Sequence, residues 1–378
     1  MERKFGAFNP SAPEAEQIAR ADKMKAYMAQ KLQYNVILHE MGHSIGHRHN
    51  FVSSYFAFGY RPQYWQLRTK DGTVTQKCAD LSATGEECIG PRYFDPPTQD
   101  ERDNMIQMFQ QSSVMDYAGD LSQDMIGLGA YDHAATRMFY GNVVAVHAEE
   151  ENSLGKINDD TILNLSNTFG GIVGYQYVRK GNNDIHYTEV QQRMKLIRDC
   201  VTVNPDDFRP ANWDEERYGP WDPLIDGLIV SQGGTHTRCK SPTVDYVPWN
   251  RLRDAITAEA ATKYGLPNGA VEVRAGSFYR GGPTVDTSKR LRVPYGFATD
   301  GWADLGNLAV YRHDNGADPY ELFNFLISEQ ETRHIFDNYR RNRSSFSVRT
   351  QAGRILGRYN EKMRDGASAR MRIPRCSA

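Results

Sequence analysis

The stretch HEMGHSIGHRH at residues 39–49 contains four histidines and two glycines, and His39, His43, Gly46 and His49 have the spacing that favours a metal site. In an α-helix, positions i and i+4 lie one above the other, so His39 and His43 can present two imidazoles to one ion. Gly46 can adopt a left-handed conformation that ends the helix and turns the chain. That turn brings His49 towards the other rings as a third ligand. Three neutral imidazoles suit tetrahedral Zn²⁺ with one position open, which is typical of a catalytic site.

Two other residues of this stretch need an interpretation. Glu40 follows His39 directly, and we predict that it is a general base facing a metal-bound water rather than a ligand. His47 competes with His49 for the third ligand position, but it lies one residue after the glycine, and the longer reach to His49 fits the turn better. Histidines that pack in a core or lie on a surface are the simpler alternative.

The stretch resembles the extended zinc-binding motif of the metzincin metallopeptidases. A second match is SVMDY at residues 113–117, which is similar to the Met-turn of that family, a tight turn that places a methionine beneath the zinc ligands. The resemblance implies that Met115 is this methionine and Gly46 the turn glycine of the zinc motif. It also implies that the phenol of Tyr117 lies near the zinc and stabilises the developing oxyanion.

Three further segments resemble a group of large bacterial metzincin-type proteases that are mostly extracytoplasmic. They are HRHNF at 47–51, VPYGF at 293–297 and DNGADPYE at 314–321. The resemblance implies one catalytic Zn²⁺, a protein or peptide substrate, and a location outside the cytoplasm, either secreted, periplasmic or in the cell envelope. The first six residues carry charge with no apolar stretch after them, so no secretory signal is visible in the chain.

The predicted fold class is α+β and mainly helical. We expect a metzincin-like subdomain with the zinc helix and the Met-turn in a catalytic region at 1–145, a mixed, loop-rich accessory region at 146–290, and a helical, basic C-terminal region at 291–378. Metzincin domains place a twisted β-sheet before the zinc helix. Here the 38 residues before His39 have a helical pattern, so we expect that amino-terminal sheet to be missing from this chain. Either it lies upstream in a longer precursor, of which this chain is a fragment, or another segment replaces it.

Apolar spacing, caps and turn signals predict the individual elements. A capping box at 11–14 is predicted to start a long helix that reaches the zinc motif, with a kink or second start near 30–34. Residues 51–97 and 203–247 are predicted to be mostly irregular, and strands at 172–178 and 185–190 form a hairpin. A second capping box at 98–101 predicts a helix at 98–109, and a cap at Asp318 predicts a helix at 318–339. Further helices are predicted at 131–140, 248–264 and 346–364.

Composition excludes several classes of protein. The net charge of −2 gives no general preference for nucleic acid or an anionic membrane, and 39% hydrophobic residues suffice for packed cores. No apolar run approaches the roughly 20 residues that cross a bilayer. Among five cysteines, Cys78 with Cys88 and Cys200 with Cys239 could form disulfides, leaving Cys376, although five free thiols are an equal alternative.

The function predicted from these features is zinc-dependent endopeptidase activity. The alternative is a zinc-binding but non-catalytic binding module or an inactive fragment of a larger protease, and hydrolysis of a non-peptide amide is a third hypothesis. Acidic and amide groups at 314–318 could bind Ca²⁺ but lack the EF-hand spacing. The basic segment 333–378 is interpreted as a solvated helical face rather than a nucleic-acid site. The oligomeric state is not predicted.

Overall fold

Helices make up most of the regular structure, and the strands are short. The computed structural model describes residues 2–76, 78, 88–90, 92, 95–120, 122–146, 178–180, 183–185, 196–241, 245–248, 299–300, 311–337, 340 and 344–372. The helices in these ranges are α1 (Glu2–Phe5), α2 (Glu14–Ser44), α3 (Pro62–Arg68), α4 (Gln99–Asp103), α5 (Ala130–Gly141), α6 (Glu215–Tyr218), α7 (Pro319–Asp337) and α8 (Val348–Arg372). Short 3₁₀ turns lie at Ala57–Gly59, Ile106–Phe109, Gln123–Met125 and Pro205–Phe208.

All the described strand pairs are antiparallel. The strands are β1 (Val143–Val146), β2 (Val178–Lys180), β3 (Asn183–Ile185), β4 (Arg198–Thr202), β5 (Val230–Gln232), β6 (Thr235–Lys240) and β7 (Asp245–Pro248). Strand β6 lies between β4 and β5, with Val201 opposite Arg238 and Val230 opposite Thr237. Strand β1 pairs with β7, and β2 with β3. The chain is therefore mainly helical with small antiparallel sheets, which confirms the general α+β class.

The long helix α2 runs without interruption for 31 residues up to the zinc motif. The predicted helix is confirmed, and of the two alternatives near 30–34 the second helix start is wrong, because the helix continues through these residues. The capping box is also wrong, because Pro13 is the N-cap and no side chain caps the helix. Within the described range 2–38, all regular structure before His39 is helical.

Several shorter predictions are settled by the described residues. Thr98 and Glu101 form both hydrogen bonds of the predicted capping box, but α4 ends at Asp103 and a left-handed Met105 separates it from the next 3₁₀ turn. Asp318 caps α7 by accepting from the amides of Tyr320 and Glu321. Helix α5 is confirmed, and α8 extends eight residues beyond the predicted end at 364.

Two segments predicted to be irregular contain regular structure. Helix α3 lies within 51–97, and strands β5, β6 and β7 lie within or adjoin 203–247. These strands are only three to six residues long. An alternating pattern of apolar and polar residues cannot be distinguished from a loop over so few positions. Most of the predicted helix at 248–264, the outer parts of the predicted hairpin, the segment 293–297 and Cys376 lie outside the described residues.

Among the described residues, an aromatic core next to the predicted zinc motif is completely buried. Phe51, Tyr64, Trp65 and Phe109 are fully buried, and Trp65 donates to the carbonyl of Ala57. Because this aromatic core begins with Phe51, two residues after His49, it provides a rigid support for the segment that carries His49.

Two disulfides are formed, Cys78–Cys88 and Cys200–Cys239, so the alternative of five free thiols is wrong for these four residues. Within the described part of the chain, no helix combines the length and apolar character needed to cross a membrane.

Candidate metal centre

The end of α2 turns the chain back on itself at Gly46. The amide of Gly46 donates to the carbonyl of His43 at 3.0 Å, and the amide of His47 donates to the carbonyl of Gly42 at 2.9 Å. These two bonds form a Schellman motif, in which the residue at the Gly46 position is left-handed. Gly46 has a φ of +92°, which glycine adopts without steric cost. The predicted reversal of the chain after the helix is therefore present.

This reversal brings the three predicted ligands together. The rings of His39, His43 and His49 have centroids 4.8 to 5.2 Å apart, and one nitrogen of each lies within 4.8 Å of the others. The Nε2 atoms of His43 and His49 are 3.2 Å apart. Two nitrogens bound at about 2.05 Å to one tetrahedral ion would lie about 3.3 Å apart. The described geometry therefore fits a shared metal ion.

The Nδ1 atom of each of the three rings is hydrogen-bonded to an oxygen acceptor. Nδ1 of His39 lies 2.6 Å from the carbonyl oxygen of Val114, and Nδ1 of His43 lies 2.9 Å from that of His47. Nδ1 of His49 lies 2.9 Å from a carboxylate oxygen of Asp300. Carbonyl and carboxylate oxygens only accept, so each Nδ1 carries a proton, and in the neutral form of each ring the lone pair is then on Nε2. Neutral lone pairs facing each other at 3.2 Å repel unless a cation lies between them.

The electrostatics of the site favour a neutral His39. Burial lowers the pKa of His39, and this effect outweighs the opposing hydrogen bond to Val114. The hydrogen bond from His49 is the main cause that holds the pKa of the Asp300 carboxyl below its usual value. A neutral imidazole beside a charged carboxylate is the pair that strengthens a histidine as a metal ligand.

The segment 113–117 lies directly against α2. A Cβ atom on Gly42 would overlap Sδ of Met115, so only glycine allows this close approach. Met115 is fully buried, and its carbonyl accepts from the amide of Asn50 at 2.9 Å. The turn is held by Asp132, whose carboxylate accepts from the Ser113 hydroxyl and the Val114 amide. Met115 thus lies beneath the helix turn that carries His39 and His43.

Tyr117 and Glu40 differ in how closely they are packed. The ring of Tyr117 lies 4.8 Å from that of His49 and 5.1 Å from that of Phe51, centroid to centroid. Glu40 is exposed on α2, and its carboxylate forms no hydrogen bond or ion pair with the described residues. Glu40 is therefore free to turn towards a ligand at the metal site.

Sequence reasoning missed two residues at this centre. Asp300 lies 251 positions after His49, and Arg312 also reaches its carboxylate at 3.4 Å. His313 stacks on Tyr117 at 5.3 Å and has a left-handed φ of 58°, which is rare for histidine. The segment around Asp300 has no local motif that could have revealed its contact with His49.

The other residues considered as metal ligands have different roles in the structure. His47 is buried, and its Nε2 lies 3.2 Å from the Thr136 hydroxyl on α5, so it is not the third ligand. Asp71 lies near Cys200 and Cys239, but these sulfurs are joined in a disulfide and cannot bind a metal as thiolates. Near the predicted calcium segment, Asp314 accepts from the Ser54 hydroxyl and Asp318 caps α7, so both carboxylates are used within the fold.

No protein-family model, no curated protein and no solved structure matches the chain. The metzincin resemblance therefore rests on the quoted motifs alone, and the function has to be argued from the geometry of the centre.

Proposed function

We propose that the protein is a zinc-dependent endopeptidase with His39, His43 and His49 as the metal ligands. The observation that carries the proposal is the arrangement of the three imidazoles, whose Nδ1 atoms are all hydrogen-bonded to oxygens and whose Nε2 atoms converge. Three nitrogen ligands are typical of zinc sites that keep one position open for chemistry.

Bound zinc would polarise the scissile carbonyl and lower the pKa of a bound water towards about 7. Glu40, one residue after the first ligand, would accept the proton of the attacking water and pass it to the leaving amine. Tyr117 would donate its phenol proton as a hydrogen bond to the developing oxyanion. Contacts of this kind contribute about 3 kcal/mol in other oxyanion holes.

We also propose an extracytoplasmic location. The support is the motif resemblance together with the two disulfides, because disulfides persist mainly in oxidising compartments.

The test compares Glu40→Gln with the matched control Glu16→Gln on the same helix. Both variants should bind one zinc per chain, as measured by elemental analysis after dialysis. Glu40→Gln should lose at least a hundredfold in peptide hydrolysis, because general-base catalysis contributes about 10²- to 10⁴-fold. Glu16→Gln should retain activity. Hydrolysis by Glu40→Gln at the wild-type rate, in material free of other proteases, would remove Glu40 from this role.

The second candidate is a metal-binding module without catalysis. A protease can bind an extended peptide by pairing it with an edge strand beside the metal centre. The described residues before His39 form helices and provide no such strand, which favours the module without catalysis. Stoichiometric zinc with no cleavage of an unbiased peptide library would select this candidate. Cleavage of small amides but not peptides would instead favour a non-peptide substrate.

A further inference from the structure

A basic groove lies between α7 and α8 on the side of the metal centre that faces Tyr117. Its volume is about 610 Å³. We define it by Arg312, Arg354, Arg358 and Lys362, which bring four cationic side chains to its wall, and by His313 at its inner end. Two acidic residues also line it, so cations outnumber anions.

The groove lies next to the candidate metal centre, separated from it by the rings of Tyr117 and His313. The ring of His313 stacks on Tyr117 at 5.3 Å, and the ring of Tyr117 lies 4.8 Å from that of His49. Arg312, in the groove wall, reaches the carboxylate of Asp300 that holds His49. A chain bound at the metal would therefore enter the groove by passing Tyr117 and His313.

Lys362 is the side chain that most requires a partner. It is only 3% exposed, and its ammonium lies 3.9 Å from the centroid of the Tyr311 ring. Within the described part of the chain it forms no ion pair at hydrogen-bond distance. Burial is the main cause that lowers its pKa, and the carboxylates of Asp314, Glu361 and Asp365 oppose this shift from a greater distance. A buried charge without a hydrogen-bonded counter-ion is costly, so an incoming anion would be favoured here.

The two acidic residues of the groove do not supply that counter-ion. Glu329 forms an ion pair with Arg358, which also donates to the carbonyl of His313. Glu361 is exposed at the groove edge. Apart from these charged residues, the groove lining includes the side chains of Leu326, Ile355 and Tyr359.

We propose that this groove binds a carboxylate of the peptide substrate and so determines which peptides are cleaved. The inference rests on the proposed endopeptidase function. An extended peptide advances about 3.3 Å per residue, so the ring-to-ring path from His49 to His313 corresponds to about two to four residues. The carboxylate would belong to an acidic side chain at that distance from the cleaved bond, or to the C-terminus of a short peptide.

The test uses acetylated fluorescent peptides in two series. In the first, the C-terminus is amidated and a single Glu, or Gln as its neutral match, is moved through positions on both sides of the cleaved bond. In the second, peptides without Glu differ only in a free or amidated C-terminus. We expect about a tenfold higher kcat/KM for the carboxylate at one position. The reason is that a charged acceptor forms stronger hydrogen bonds than its neutral match.

The variant Lys362→Met should reduce this preference to less than twofold, while Arg349→Met, a loss of charge elsewhere on α8, should leave it unchanged. Because Lys362 is buried, Arg354→Gln at an exposed groove position is a second variant, with an expected threefold reduction. A preference in the first series alone identifies an acidic side chain, and in the second alone a C-terminus.

Equal cleavage of Glu and Gln peptides at every position, and of free and amidated C-termini, would overturn the groove inference and leave the endopeptidase proposal intact. If no peptide is cleaved, that proposal fails, and fluorescence anisotropy with the zinc-loaded Glu40→Gln variant still tests the groove. Equal binding of all peptides in that measurement would overturn the inference as well.

Discussion

At the residue scale, the hydrogen bonds behind the imidazoles determine what the centre can bind. Two of the three acceptors are backbone carbonyls, of Val114 and His47, which no side-chain substitution removes. The third is the carboxylate of Asp300. Asp300 does not reach the ligand position itself, so we regard it as a positioning residue that acts through His49. It is the one acceptor of the three whose charge can be changed by mutation.

We predict that Asp300→Asn weakens zinc affinity about tenfold, because partners of this kind typically contribute 10- to 100-fold to metal affinity. Affinity is measured by competition with a chromophoric chelator, with Asp206→Asn, an exposed carboxylate of the 3₁₀ turn at 205–208, as the control. The thermal stability of the metal-free protein should not change. Unaltered zinc affinity in Asp300→Asn would show that the contact with His49 has no role in metal binding.

At the element scale, the close contact between α2 and the 113–117 turn depends on a missing side chain. Gly42 lies where a Cβ would overlap the sulfur of buried Met115. In an open helix position, Ala is more favourable than Gly by about 1 kcal/mol, so helix propensity and packing oppose each other at this residue. Overpacking in a filled core costs about 1–3 kcal/mol, and packing is therefore expected to win.

We predict that Gly42→Ala lowers the free energy of unfolding by about 1–2 kcal/mol, whereas Gly353→Ala raises it by up to about 1 kcal/mol. Gly353 is the matched control because it lies in helix α8, where an added methyl group would meet open space. Urea unfolding of both variants measures the two changes. Stabilisation by Gly42→Ala would mean that Met115 moves aside freely, and the rigid support of the zinc ligands would have to be reconsidered.

At the scale of the whole molecule, buried ion pairs join segments that are distant in the chain. Arg92 pairs with Glu101 at 3.0 Å and with Glu321 at 3.1 Å, and all three residues are buried. Arg92 and Glu321 are 229 positions apart. Burial by itself would raise the pKa of Glu101, but the charges of Arg92 and Arg68 outweigh it and lower the pKa to about 2.

This shift predicts a pH dependence of stability. The pKa of Glu101 is lower in the folded than in the unfolded protein, so its contribution is complete above about pH 4.5 and decreases as the pH falls towards about 2. Glu101→Gln should be destabilised by about 3 kcal/mol at pH 7, and this difference from wild type should shrink on acidification. Glu216→Gln, an exposed change on α6, is the control. A difference that stays constant between pH 7 and pH 3 in urea unfolding would contradict the assignment.

The sequence alone was sufficient for features that depend on near neighbours. The turn at Gly46, the spacing of the three histidines, the capping box at Thr98 and the Asp318 cap all act over a few residues, and the structure contains each of them. Helices also follow from the periodicity of apolar residues, which extends over several turns.

Only the tertiary structure decided the contacts that join distant parts of the chain. It supplied Asp300 behind His49, His313 on Tyr117, the short sheets and the basic groove between α7 and α8. Local signals in a sequence determine backbone conformation over a few residues, because capping and helical spacing are short-range effects. Which distant side chains then come into contact depends on how all the elements pack together, and short-range sequence patterns do not predict it.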